Sequence, residues 1–189
     1  MNETNGKKLL FTVADILEDL NVEFFLCSGT LLGAVRDKKF IGTDRNVDLK
    51  ILQEDLIPIA KELENRLIRK GINVKVIDHR HRRPWNGSVY AFKLSGYGVR
   101  AELASFIKIK GMRALPSHLN DYWIVLPPRF VEELDEIEFY GRTFKCPRNI
   151  DEYLTRWLGD WRIPARRGNS LGLNIKPESW RDDITAEEK

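Results

Sequence analysis

With 189 residues the chain fits one domain, and 42% hydrophobic residues suffice to fill a single core. Its 31 Lys and Arg against 28 Asp and Glu leave a formal charge of +3, which excludes a generally basic nucleic-acid binder and leaves local anion sites. There is no apolar run of the roughly 20 residues a membrane span needs, no signal-peptide pattern, and no spacing of Cys27 and Cys146 that asks for a disulfide, so the expected location is cytoplasmic.

In chain order, residues 1–5 are polar and expected to be loose, and Leu9, Leu10, Val13, Ile16, Leu17 and Leu20 follow a helical period. Phe24 to Cys27 is a continuous apolar run suited to a strand buried on both faces. Ser28-Gly29-Thr30 turns the chain, and Leu31 to Arg36 restarts a helix in which Gly33 permits close packing against a neighbour. After the charged turn Asp37-Lys38-Lys39, Val47, Leu49 and Ile51 alternate with Asn46, Asp48 and Lys50, a strand with one apolar and one polar face. Asp44 shares the polar face only if the strand begins that early.

Asp55 to Lys70 is the clearest helix, with Pro58 in its first turn and Gly71 as its stop. Strands are expected over 72–77, over 89–94 and 99–107 as a hairpin, over 123–126, and over 137–140 and 143–146 as a second hairpin. Between them, His79 to Gly87 is the most basic segment, and 108–119 reads as irregular. A last helix, capped by Asn149, carries Tyr153, Leu154 and Trp157 and ends at Gly159. The order is mixed α+β around one sheet, a single domain over 1–189, with 176–189 a second loose end.

Small residues at a strand-to-helix turn expose backbone N–H groups to phosphate, which makes Ser28, Gly29 and Thr30 candidate phosphate contacts. Asp44 and Asp48, with one neutral oxygen from Asn46, are candidate ligands for a hard divalent cation, Mg²⁺ or Mn²⁺. A two-metal phosphoryl site prefers more negative charge than that strand alone supplies, and Glu102, in the strand context Val99 to Leu103, is the candidate third carboxylate. Arg36, Lys38 and Lys39 follow the half-helix within reach of a pyrophosphate, although charged turns are more often only solvated. The His79–Trp85 loop suits an anionic acceptor or a stacked ring, or is plain surface; its histidines lack the partners of a zinc site. No Ser-His-Asp or Cys-His arrangement is present, and neither of the common glycine-rich phosphate loops.

Ser28-Gly29-Thr30-Leu31-Leu32-Gly33-Ala34-Val35-Arg36, then Phe40-Ile41, then Asp44 to Asp48, resembles the LicD/fukutin-type phosphotransferases. So do Phe139-Tyr140-Gly141 to Pro147, Asp151 to Leu154, and Leu158-Gly159-Asp160-Trp161-Arg162-Ile163-Pro164. The resemblance implies a nucleotidyltransferase-type mixed β-sheet flanked by helices. It also implies metal-dependent transfer of a phospho-alcohol, such as phosphocholine or ribitol phosphate, from a CDP-linked donor to a glycan. Carried onto this sequence, Gly29 and Thr30 contact the donor's phosphates, Asp48 and position 46 hold metal, Asp44 opens the motif, Glu102 is the third acid, and Asp160 and Trp161 lie near the cleft rim. The acidic strand of that family alternates three Asp, whereas the middle one here is Asn46, and Gly42-Thr43 stand where Pro-Trp is usual. Two alternatives therefore stand beside phospho-alcohol transfer to a sugar or small-molecule acceptor. One is nucleotidyl transfer from a nucleoside triphosphate; the other is a non-catalytic nucleotide- or glycan-binding relative with a degraded metal site.

Overall fold

A computed structural model of the chain describes residues 1–42, 44–78, 88–116, 123–163 and 174–175. The basic loop from His79, the charged end, and Arg166-Arg167 lie outside these residues.

Helix α1 spans Glu3–Asp19 and begins earlier than its apolar stripe suggests, because Asn2 caps it by accepting the Asn5 N–H at 3.0 Å. Residues 1–5 are thus largely helical. Strand β1 (Phe24–Leu26) is buried throughout and leads into α2 (Ser28–Leu32), which continues as a π-helical turn over Gly33–Asp37. Strand β2 spans Asn46–Leu52 and α3 spans Gln53–Arg69. That start is two residues earlier than expected, so Pro58 falls in the second turn, where it gives no N–H to the Glu54 carbonyl.

Strands β3 (Asn73–Asp78), β4 (Val89–Gly96) and β5 (Val99–Ile109) follow. Of the stretch expected to be irregular, the described residues 108–116 form a hairpin instead, and 117–119 lie outside the described residues. Strand β5 continues to Ile109, Lys110-Gly111 turn with φ of 47° and 74°, and β6 (Met112–Pro116) returns to pair with β7 (Trp123–Leu126). A short α4 (Arg129–Glu132), the hairpin β8 (Leu134–Phe139) and β9 (Arg142–Pro147), α5 (Ile150–Leu158) and β10 (Asn174–Ile175) complete the described elements.

The strands form one mixed sheet in the order β10-β7-β6-β5-β2-β1-β9-β8, with β4 also pairing with β5 and β3 with β4. Parallel pairing joins β2 to β5 and β1 to β9; β1 and β2 run antiparallel. Helices α1 and α3 pack on each other and on the β2–β5 centre. Both cysteines are buried and free, and burial pushes the Cys27 thiol up to about 12, as befits a small core residue and not a nucleophile.

This topology matters for one reason. Residues that are far apart in sequence meet where β1 ends, β2 begins and β5 passes: Asp48 stands directly opposite Glu102 in the β2–β5 register.

Candidate active site

Cys27 is extended, with φ −144°, and Ser28 takes a left-handed φ of 49°, so the chain swings sharply out of β1 into α2. A non-glycine residue held there costs about 1 kcal/mol or more and persists where its surroundings fix it. Here the fixing contacts run to β2. The Thr30 hydroxyl accepts the Asp48 N–H at 2.8 Å, the Asp48 carbonyl accepts the Cys27 N–H at 3.4 Å, and the Gly29 N–H donates to the Asp48 carboxylate. Thr30 is fully buried, so its side chain is a clamp between α2 and β2. In this arrangement the glycine turn shapes the carboxylate of Asp48 as directly as it would a phosphate.

Asp44 precedes β2 and is not part of it, so strand alternation does not place its side chain. A reverse turn does: its N–H donates to the Ile41 carbonyl at 2.9 Å. Its carboxylate lies against the bare Cα of Gly29, where an added Cβ would come within 2.1 Å of Oδ2. Oδ1 accepts the Arg45 N–H at 3.0 Å, while Oδ2 is buried and has no hydrogen-bond partner. Burial raises the Asp44 pKa, against the main-chain N–H groups of Arg45 and Asn46 and the N-terminal ammonium.

On β2, Asn46, Asp48 and Lys50 share one face, and Val47, Leu49 and Ile51 are fully buried on the other. The Asn46 amide donates to Asp48 Oδ1. Asp48 is pushed up to about 7, first by burial and then by the Asp44 and Glu102 charges, against the pull of Lys50 and the Gly29 N–H. Lys50 was visible in the sequence as a member of this face, but nothing marked it as buried. It is 2% exposed, and its ammonium faces Glu102 Oε1 at 3.5 Å. Burial pulls its pKa down, and the neighbouring Cys27, Glu102 and Asp48 groups more than offset that, leaving it raised.

Tyr153 is a second residue that composition did not single out. It is fully buried, its hydroxyl has no hydrogen-bond partner, and its ring stacks on Trp157 at 5.7 Å. Burial, with the Cys27 and Asp48 charges, holds its pKa well above the ordinary value.

The remaining expected residues are less central. Arg36 forms a two-pronged pair with Asp37 at 2.8 and 3.0 Å and donates to the Trp161 carbonyl at 3.3 Å, which ties the π-turn to the segment after α5. Lys39 and Asp160 are exposed, and Ser28 is partly so. Trp157 and Trp161 are partly buried and pack against the core. A cavity of about 400 Å³ lined by Glu18, Glu23, Phe24, Glu136, Phe144 and Lys145 opens at the far end of β1 and holds none of the predicted site residues.

Among the described residues, no three or more His, Cys, Asp and Glu side chains are placed to hold a metal on their own. Two carboxylates do fit a single hard cation. The orphaned, buried Asp44 Oδ2, seated in the space that the missing side chain of Gly29 leaves, is what such an ion requires, since Mg²⁺ takes one or two carboxylates and completes its shell with water and phosphate oxygens. Among the described residues, no helix is long and apolar enough to cross a membrane.

The fold has solved counterparts. The crystal structure of ANT(2")-Ia in complex with adenylyl-2"-tobramycin aligns with a TM-score of 0.50 at 15% identity, over 74% of this chain and 67% of that one. The solution structure of the antibiotic-resistance factor ANT(2'')-Ia aligns with a TM-score of 0.53 at 15% identity, over 98% and 85%. At that identity the likeness speaks for the fold, and no curated protein matches the sequence significantly. The sequence-level match is to a domain family, and it takes in the middle of the chain as well as the motif-bearing start. Covering residues 21–149, from just before β1 through the turn, β2 and β5 to just past β9, the model of the LicD/FKTN/FKRP nucleotidyltransferase domain matches, and the chain belongs to that family.

Proposed function

We propose that the protein is a transferase that moves a phospho-alcohol, phosphocholine- or ribitol-phosphate-like, from a CDP-linked donor to a sugar hydroxyl. Membership of the LicD/FKTN/FKRP domain family and the nucleotidyltransferase fold support a transferase of that general kind. The observation that carries the finer reading is Asp44 Oδ2, a buried carboxylate oxygen without a partner beside Gly29. Such an orphan costs about 1–3 kcal/mol, and a hard cation is its natural partner.

Asp44 and Asp48 would hold one Mg²⁺ or Mn²⁺, which supplies charge neutralisation at the transferring phosphoryl group. The chain's own residues do the rest. The Thr30 hydroxyl, accepting the Asp48 N–H, fixes the Asp48 main chain against the turn, and the Gly29 N–H faces its carboxylate. The missing side chain of Gly29 makes room for the Asp44 carboxylate, and Ser28 and the exposed Lys39 would meet the donor's phosphates. Glu102, opposite Asp48, would accept the proton of the attacking hydroxyl as the donor's pyrophosphate P–O bond breaks and CMP leaves.

A second reading is favoured by Asn46, whose amide already occupies one oxygen of Asp48: a nucleotide- or glycan-binding relative without turnover. Incubation with CDP-alcohols and nucleoside triphosphates in Mg²⁺ or Mn²⁺, with a panel of sugar acceptors and phosphorus NMR of the products, separates these. Consumption of a CDP-alcohol with release of CMP is expected. Pyrophosphate release from a triphosphate would assign nucleotidyl transfer instead. Binding without turnover in the native chain, with turnover appearing in Asn46→Asp, would make the native protein a binding-only relative.

A further inference from the structure

We propose that Lys50 is a resident cation of the acidic site, standing where a second divalent ion would otherwise be held, so that the site takes one divalent cation and not two. The inference rests on the reading of Asp44 and Asp48 as a cation site.

Lys50 lies on the same face of β2 as Asn46 and Asp48, one pleat beyond Asp48. It is 3% exposed at its side chain, and its ammonium faces Glu102 Oε1 at 3.5 Å; Glu102 is 20% exposed and registered against Asp48. An ammonium so thoroughly removed from water is retained only where nearby carboxylates compensate its desolvation. The carboxylates that compensate it are those that would otherwise serve a metal.

Charge counting points the same way. Asp44, Asp48 and Glu102 bring at most three negative charges, and Lys50 with the N-terminal ammonium beside Asp44 brings two positive ones, so little net negative charge is left for a second divalent ion. A second divalent ion would find the carboxylate nearest it, Glu102, already paired with the buried Lys50 ammonium. Asn46 acts in the same direction as Lys50. It withdraws the charge that a carboxylate would bring there, and its amide donates to Asp48 Oδ1, covering the edge of that carboxylate that a bridging ion would use. The two residues form one device: a neutral donor on one side of Asp48 and a fixed cation on the other.

The test counts ions and does not depend on turnover. Mn²⁺ binding is measured by electron paramagnetic resonance of free Mn²⁺, with CDP at saturating concentration, on the full chain. The native protein is expected to bind one Mn²⁺, and Asn46→Asp/Lys50→Gln two. Lys50→Gln alone, which keeps a polar side chain without the charge, is expected to bind the first Mn²⁺ roughly tenfold or more tightly, because it removes a unit charge a few ångströms away. That single variant stands in if the double variant fails to fold by circular dichroism. Two Mn²⁺ on the native chain, or unchanged stoichiometry and affinity in the Lys50 variants, would overturn the inference. A native chain that binds none while the variants do would uphold the role of Lys50 and overturn the one-cation transferase reading. Binding by neither protein overturns both.

Discussion

At the scale of single residues, burial and crowded carboxylates hold Asp48 away from its ordinary titration. Asp48 rises from an ordinary 3.8 to about 7 in the folded chain, chiefly through burial. A carboxyl raised on folding adds stability that is fully present below its unfolded value and is lost as pH climbs through the folded value. The ligand-free protein should therefore lose stability between about pH 4 and 7 on account of this group. Asp48→Asn should remove that slope and be more stable at pH 8, by on the order of 3 kcal/mol, while Mn²⁺ should stabilise only the native chain. Urea unfolding at pH 5 and pH 8, with and without Mn²⁺, checks this; parallel profiles for the two proteins would show that Asp48 is not a stored cost. The residue types at 44, 46, 48 and 102 were legible in the sequence because alternation and turn chemistry are local. The burial of Lys50 was not, since it depends on Glu102 arriving from a strand more than fifty positions away.

At the scale of elements, the turn after α2 is what delivers Asp44. The π-helical turn ends at Lys38 in a left-handed conformation, with φ 54°, and returns so closely that a Cβ on Gly33 would sit 2.5 Å from the Lys39 carbonyl oxygen. Phe40 then packs on Phe139 and Tyr140, with ring centroids 5.1 and 5.2 Å away, and its N–H donates to the Tyr140 hydroxyl at 2.9 Å. Desolvation pushes that hydroxyl up to about 12, so it stays protonated and the contact is insensitive to physiological pH. Gly33→Ala would gain helix propensity, worth about 1 kcal/mol. The overlap is with backbone, though, so the Lys39–Ile41 segment must move, at about 1–3 kcal/mol. The expected outcome is a modest net loss of stability with a larger loss of Mn²⁺ affinity, because Asp44 follows on the same segment. A calorimetric titration beside a thermal melt reads both; unchanged Mn²⁺ affinity would mean that Asp44 is placed independently of this turn. The sequence indicated that Gly33 permits close packing, but not against what, since the contact is to main chain of a loop without periodicity.

At the scale of the whole molecule, two parts of the sheet do different work. The central strands β1, β2 and β5 carry the acidic residues, and the β5–β6–β7 side is held by an ion cluster in a stretch that the sequence alone presents as irregular. The hairpin was missed because Arg113 and Pro116 interrupt any apolar alternation; only Gly111, in its left-handed turn, marked it. Arg113 is 3% exposed and bridges three elements, pairing with Glu54 of α3 at 2.9 and 2.6 Å and with Glu132 of α4 at 2.6 Å. Breaking a buried pair from one side costs about 3–5 kcal/mol. Here Glu54 and Glu132 are 51% and 37% exposed and can rehydrate, so Arg113→Ala should cost nearer 2 kcal/mol. Arg113 holds the Glu54 carboxyl below its ordinary value. A depressed carboxyl contributes stability above its unfolded value and loses it as pH falls through the folded one. The native chain should accordingly lose stability below about pH 4.5 through Glu54, and Arg113→Ala should flatten that acid limb while leaving the Asp48-dependent slope at higher pH unchanged. Because the two clusters sit at opposite ends of β2, with Asp48 near its start and α3 beginning where it ends, Mn²⁺ affinity should survive Arg113→Ala once measured below the variant's melting temperature. Coupled loss of both would show that the sheet transmits strain along β2, and would make the Arg113 cluster part of what positions the site.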